Sequence, residues 1–262
     1  MFKIATFNVN SIRARLDIVL DWLETAAPDV LCLQETKVQD ADFPVEAFEK
    51  AGWRVAFSGE KSYNGVAIVS KEKAVEVTAG FPRGDGKEAL PTDAARLLRA
   101  TFGKLHVVNT YVPQGRDLEH PMYPYKLAWF GRLRTLFERE YSPRKNVLWV
   151  GDLNVAPEPL DVDKPETKAQ HVCYHEDVRK AFAETCAWGF TDVFRLKHPG
   201  ERLYSFFDYR NPLGLKLNQG WRVDHILATR PLAKKVATCD IDLAPRRLLG
   251  ASDHTVMWAE LI

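Results

Sequence analysis

The chain has 262 residues, 46% hydrophobic and 27% charged, with a formal net charge of +1. That length suits one large domain or two small ones and the apolar content a soluble globular protein; a single domain over residues 1–262 is expected. No apolar run approaches a membrane span, and the near-neutral total does not mark a nucleic-acid binder, although it can conceal a basic face.

The start of the chain, Met1 to Asn8, is too short and too soon polar for a secretory signal. Cys32, Cys173, Cys186 and Cys239 show no CxxC or other zinc spacing. They read as small buried hydrophobes in a reduced, cytoplasmic protein.

Phe2 to Val9 reads as a strand ending at Asn8 and Asn10. Ser11 is the expected cap of a helix carrying Ile12, Leu16, Val19, Leu20 and Leu23 at helical spacing. Pro28 stops it, and Asp29 to Gln34 is a buried strand that ends at Glu35. A short helix from Pro44 to Gly52 precedes a strand from Trp53 to Ser58. After the Tyr63-Asn64-Gly65 turn, Val66 to Val69 is a strand with Val75 to Thr78 as its expected hairpin partner. A polar loop from Pro82 to Asp93 leads to strands at Arg96 to Phe102 and Leu105 to Tyr111. Tyr125 to Tyr141 is an amphipathic helix with Leu127, Phe130, Leu133 and Phe137 on one side.

Val147 to Val150 is a continuous apolar run, the mark of a strand covered on both faces. It ends at Gly151-Asp152-Leu153-Asn154, where alternation would point Asp152 and Asn154 the same way. Gly151 would admit a neighbouring backbone or a ligand. Pro157 to Tyr174 is a long irregular loop, and Val178 to Trp188 is a helix closed by Gly189. Strands are expected near Leu203 to Tyr209, Val223 to Thr229, Val236 to Ile241 and Thr255 to Leu261. Interleaved strands and helices point to an α/β fold with two packed sheets.

One device recurs. Apolar strands end at Asn8 and Asn10, Glu35, Tyr111, Asp152 and Asn154, Asp224, and Asp253-His254. Taken singly, each is most simply a turn or cap. Six such ends in one chain point instead to a site built where strands terminate. An oxygen-rich set of Glu, Asp and Asn suits a hard cation such as Mg²⁺ or Mn²⁺, not structural zinc. Tyr111 can donate to a phosphate oxygen, Asp152 can orient and deprotonate a water, and a cationic His254 can neutralise developing charge. Neighbours on a strand face opposite ways, so Asp253 cannot orient His254, but Asp224 can. His225 reads as a packed strand residue, and His106, His120, His171, His175 and His198 as surface or loop residues.

Asn8-Val9-Asn10-Ser11-Ile12-Arg13, Leu33-Gln34-Glu35-Thr36-Lys37, Tyr111-Val112-Pro113-Gln114-Gly115, Gly151-Asp152-Leu153-Asn154, Phe206-Phe207-Asp208-Tyr209-Arg210, Trp221-Arg222-Val223-Asp224 and Ser252-Asp253-His254 occur in that order. Together they resemble the exonuclease III family of abasic-site endonucleases, across essentially the whole chain. The resemblance implies a four-layer α/β sandwich, with two central sheets flanked by helices, and a Mg²⁺-dependent phosphodiesterase, with Mn²⁺ able to substitute. It implies Glu35 as principal metal ligand with Asn8, Asn10 and Asp253 around it, and Asp152 and Asn154 as candidates for a second metal. Asp152 would position water, Asn154 would hold Asp152 and phosphate, Tyr111 and His254 would contact phosphate, and Asp224 would orient His254. Phe206, Trp221 and Val223 would form the pocket for the base-less sugar, which is small and apolar enough for such a box.

The implied substrate is double-stranded DNA with abasic sites or blocked 3′ ends, acted on by a monomer. Lys37, Gln114, Arg116, Arg210 and Arg222 are candidate DNA contacts, with Lys216, Arg246 and Arg247 further basic residues near the site. Two stretches depart from the family pattern. Arg116 to Pro121 follows a different order where the family can carry a DNA-inserting arginine, and the loop Asp163 to Tyr174, with His171 and Cys173, lacks asparagines that some relatives use. The balance among incision, exonuclease and 3′-phosphatase activity is therefore open. The alternatives are a phospholipid or inositol-phosphate phosphoesterase with the same chemistry, and a non-catalytic DNA-binding module. Intact acidic residues and His254 weigh against the second.

Overall fold

A computed structural model describes residues 1–82 and 92–262; most of the loop expected between Pro82 and Asp93 lies outside them. The chain runs β1 (Phe2–Asn8), α1 (Ile12–Ala26), β2 (Val30–Gln34), α2 (Val45–Lys50), β3 (Arg54–Ser58), β4 (Val66–Ser70), β5 (Glu76–Ala79), β6 (Leu97–Phe102) and β7 (Leu105–Tyr111). It continues through α3 (Met122–Glu140), β8 (Asn146–Asp152), α4 (Glu176–Cys186), β9 (Phe190–Asp192), α5 (Val193–Lys197), β10 (Asp224–Thr229), α6 (Arg230–Ala233), β11 (Val236–Asp242) and β12 (Val256–Leu261). Among the described residues the strands form two six-stranded sheets, β11-β12-β1-β2-β4-β3 and β5-β6-β7-β8-β10-β9.

Strand periodicity explains the layering. On β1 and β2, Ile4, Val30 and Cys32 face the other sheet, while Ala5, Phe7, Leu31 and Leu33 pack with Val19, Trp22 and Leu23 of α1. On β8, Leu148 and Val150 face inward, while Val147 and Trp149 meet Phe130 and Phe137 of α3 and Phe182 of α4. Both faces of each central strand are therefore apolar, which gives four layers with the main core between the sheets. A buried polar latch joins the sheets near their site end. Gln34 Nε2 donates to Asn109 Oδ1 (2.7 Å), and Asn109 Nδ2 donates to the carbonyls of Leu33 and Ala67.

Three expectations change. The stretch around Val75 to Thr78 does not pair with β4: β5 pairs antiparallel with β6 in the second sheet, and β4 lies between β2 and β3. Leu203 to Tyr209 is not a strand, since within it only Phe206 forms isolated bridges, to Trp221 and His254. Ser11 precedes α1 with φ 93° and gives no side-chain cap; its backbone N–H bonds Glu35 O instead.

Candidate active site

Register brings the polar strand ends together. Tyr111 pairs with Asp152 in the parallel β7–β8 ladder, and Asp152 with Asp224 in the antiparallel β8–β10 ladder. In the facing sheet Asn8 pairs with Gln34, the residue before Glu35. Just past the strands the chain turns through left-handed backbone at Asn10 (φ 45°), Glu35 (φ 51°) and Asn154 (φ 49°). Positive φ is uncommon outside glycine, and its clustering here fits a strained functional site. Asn154 therefore does not follow Asp152 by strand alternation. Its backbone N–H donates to Asp152 Oδ1 (3.0 Å), and its Nδ2 donates to Val112 O.

Gly151 (φ 137°) is explained by the sheet: a Cβ there would lie 1.9 Å from the Thr110 carbonyl oxygen. The close neighbour is β7 backbone.

Two groups of side chains result. In the first, Asn8 Nδ2 donates to Glu35 Oε1 (2.8 Å) and Asp152 Oδ2 (2.9 Å), and Asn10 Nδ2 donates to Asp253 Oδ1 (3.0 Å). The Lys37 ammonium lies 2.8 Å from Glu35 Oε2 and donates to Asn10 Oδ1. The oxygens of Glu35 and Asn10 thus already converge on a cation, and an all-oxygen cradle of this kind fits Mg²⁺ or Mn²⁺. Burial would raise the Glu35 carboxyl, but bonds from Asn8 and Lys37 hold it below its ordinary value. Glu35 is therefore ionised and ready for a metal.

In the second group, His254 Nδ1 lies 2.8 Å from Asp224 Oδ2, and Nε2 is 3.8 Å from Asp152 Oδ2. Burial alone would discharge the imidazole, but Asp224 and Asp152 outweigh it and push His254 up to about 10. The Asp152 carboxyl is raised to about 7, by burial first and then by Asp224 and Glu35 working against the attraction of His254. His254 therefore holds its proton more tightly than Asp152 does, and Asp152 is the member of the pair able to act as base. Asp152, Asp224 and His254 lie close enough to hold an ion, but the Asp224–His254 bond is better explained as the orientation of an imidazolium. Burial, Glu35 and Asp152 raise the Tyr111 hydroxyl well above its ordinary value, so it stays protonated and able to donate.

Asp224→Asn should therefore lower the pKa of His254, read from the imidazole signals in an NMR pH titration. An unmoved titration would remove Asp224 from the orienting role.

A cavity of about 190 Å³ is lined by Glu35, Tyr111, Gln114, Asp152, Asn154, Asp253 and His254 together with Phe206, Trp221 and Val223. Asn8 and Asp224 stand directly behind that lining. His171, Cys173, Asp208 and Arg210 complete the wall, and the His171 ring sits 4.4 Å from Trp221. His171 thus belongs to the cavity and is more than an ordinary loop residue; its neighbour Trp221, 50 positions on, gave no local signal. Lys126 was also missed: it is fully buried beneath the cavity, bonded to the carbonyls of Gln114, Asn154 and Val172. A lysine in register with Tyr123, Phe130 and Leu133 on an apolar helix face was the available sign.

The basic candidates divide. Arg116 and Arg210 are exposed, the latter paired with Asp208 at the cavity wall, while Lys37 is engaged with Glu35. Lys216 and Arg247 are also exposed, and Arg246 packs over Tyr209. Arg222 is not available to DNA. It is 0% exposed, with Nε 2.7 Å from Asp161 Oδ1 and Nη2 2.8 Å from Asp192 Oδ2. Its neighbours Trp221 and Val223 reach the cavity because strand-like alternation turns Arg222 the other way. His225 accepts from Arg222 Nη1 (3.1 Å), with Nε2 against Val155 O (2.8 Å), as expected of a packed residue.

Residues 5–254 match the Endonuclease/Exonuclease/phosphatase family. The chain belongs to that family. It is 33% identical to exodeoxyribonuclease III of Haemophilus influenzae over 98% of this chain and 99% of the relative. Among solved structures it resembles an AP endonuclease from Archaeoglobus fulgidus (TM-score 0.95, 46% identity, 100% of this chain and 99% of the other). It also resembles the Neisseria 3′ phosphatase NExo bound to a product DNA hairpin (TM-score 0.90, 34% identity, 100% of both chains). Family membership confirms the four-layer architecture and an enzyme that hydrolyses phosphoester bonds. No described helix is long and apolar enough to cross a membrane.

Proposed function

We propose that this protein is a Mg²⁺-dependent DNA-repair phosphodiesterase that cuts duplex DNA on the 5′ side of abasic sites, with 3′→5′ exonuclease and 3′-phosphatase activity on blocked ends. The supporting observation is one cavity in which a carboxylate–imidazole relay and a cation cradle adjoin a small aromatic box. Phe206, Trp221 and Val223 would receive the base-less sugar, and the scissile phosphate would lie between Tyr111 and His254. Asp152, held by Asn8 and the Asn154 amide, orients a water for in-line attack and takes its proton. His254, aligned by Asp224, balances charge building on the phosphate. Glu35, with Asn8, Asn10 and Asp253, would hold Mg²⁺ or Mn²⁺, which when bound supplies electrophilic stabilisation of the phosphate and departing 3′-oxygen. Hydrolysis leaves a 3′-hydroxyl and a 5′-deoxyribose phosphate. This reading includes a single domain over residues 1–262, a monomer, and action in a reducing cytoplasm that suits four unpaired cysteines.

The decisive experiment is incision of a duplex with one abasic site by purified protein, with Mg²⁺ and with chelator. Mg²⁺-dependent incision abolished by chelator is expected; its absence overturns the reading. Binding should also weaken with salt, log K falling by about 0.9 per neutralised phosphate per decade of salt. A flat response would remove backbone tracking by Arg116, Arg210 and their neighbours.

A further inference from the structure

Lys126 projects from the apolar stripe of α3 and is fully buried. Its Nζ lies 3.0 Å from the carbonyl of Gln114, 2.6 Å from that of Asn154 and 2.8 Å from that of Val172. Burial pulls the Lys126 pKa below its ordinary value, and three carbonyls matched to the three N–H donors of an ammonium work against that fall and favour the charged form. Cys173 Sγ, at 3.9 Å, completes the shell and stands equally far from Asn154 Oδ1. Gly115 (φ +101°) lets its loop close on this side chain: a Cβ there would meet the Tyr123 ring at 3.3 Å and Lys126 Cδ at 3.4 Å. Packing alone does not account for a charge here, because a buried ion can commonly be replaced by an apolar residue of like volume at no loss of stability. What the ammonium does, and methionine could not, is draw three carbonyls to one point.

Those carbonyls belong to three loops that supply one wall of the cavity, through Gln114, Asn154, and the pair His171 and Cys173. The loops lie 12, 28 and 46 residues from Lys126 in sequence, so local structure alone does not set their spacing. We propose that Lys126 is a positioning residue that fixes this wall and thereby sets how tightly the abasic sugar and its phosphate fit. It touches no reacting atom, and the inference rests on the function proposed above. Asp152 and His254 are also held from the opposite side by Asn8 and Asp224, so Lys126 reaches Asp152 only at a distance, through its charge and through the Asn154 loop whose amide bonds Asp152 Oδ1.

The test compares wild type, Lys126→Met and Lys126→Gln on the abasic duplex, with folding checked by circular dichroism. Met removes every donor at similar volume, whereas Gln keeps two. Lys126→Met should raise KM roughly ten- to hundredfold, the scale on which misplaced binding groups act. Its kcat should fall less than its KM rises, and Lys126→Gln should lie between Met and wild type. A folded Met variant with wild-type KM overturns the proposal, as does a kcat that falls as far as KM rises. If Met fails to fold, Gln carries the comparison; if neither folds, Lys126 is a structural residue and the proposal is overturned. Failure of the wild type itself to cut the duplex would instead overturn the functional reading.

Discussion

Asp152→Asn is expected to lower incision of the abasic duplex by roughly 10²- to 10⁴-fold while DNA affinity stays within a few-fold of wild type. The amide fills nearly the same space, and its one oxygen can still accept from either the Asn154 amide or Asn8, which bond different oxygens of the wild-type carboxylate. It cannot take a proton from water. The wild-type residue is tuned for that task, since burial among Asp224 and Glu35 raises its carboxyl to about 7 while the imidazolium of His254 opposes a further rise. The ionised base therefore accumulates as pH rises through neutrality, and kcat/KM for the wild type should climb over the same interval. In Asp152→Asn that ascending limb should vanish along with most of the rate. Single-turnover kinetics across pH, with fluorescence anisotropy for binding, provide the measurement. A variant with full activity, or one with the limb intact, would move water activation to another group.

The site was legible because its residues stand at the termini of apolar strands: Asn8, Tyr111 and Asp152 close β1, β7 and β8, Glu35 follows β2, Asp224 opens β10, and His254 stands just before β12. Buried runs such as Val147 to Val150 announce a strand, and the charged or amide residues at either end of a run stand out by contrast with it. What could not be read locally is anything decided by pairing between distant segments. β5 follows β4 closely yet pairs with β6 in the other sheet. Its burial pattern is mostly exposed, so no hydrophobic alternation specified a partner. β9 is three residues long, too short for a periodic signal. Phe206 has the composition of a strand residue, but its surroundings form bridges only where Trp221 and His254 approach. The same limit explains Arg222. In sequence it is a basic residue beside pocket residues, and only the fold brings Asp161 and Asp192, 61 and 30 positions away, against it.

Loss of Arg222 is expected to destabilise the fold. Arg222 bridges two carboxylates inside the protein, and Arg195 also bonds Asp161. Arg222→Met would keep much of the volume but leave Asp192 without its main countercharge and Asp161, 0% exposed, with Arg195 alone. Removing one member of a buried ionic network costs about 3–5 kcal/mol, because the remaining charge stays desolvated. For a chain of this size that corresponds to a fall in Tm of roughly 6–20 °C. The variant, where folded, should bind DNA as wild type does, since Arg222 has no route to the surface; selective loss of affinity would restore it as a DNA contact.

The network also sets the sign of acid sensitivity. Burial alone would raise the Asp192 carboxyl, yet the Arg222 guanidinium beside it holds it far below the usual carboxylate range. A depressed folded value means that the contribution to stability is fully present above the ordinary aspartate value, about pH 4, and is lost as pH falls below it toward the folded value. Wild type should therefore lose stability steeply below about pH 4, whereas Arg222→Met, already lacking that contribution, should show a flatter decline. Thermal melts at neutral pH and through the acid range test both points. Parallel acid profiles for the two proteins would show that Arg222 does not carry this linkage.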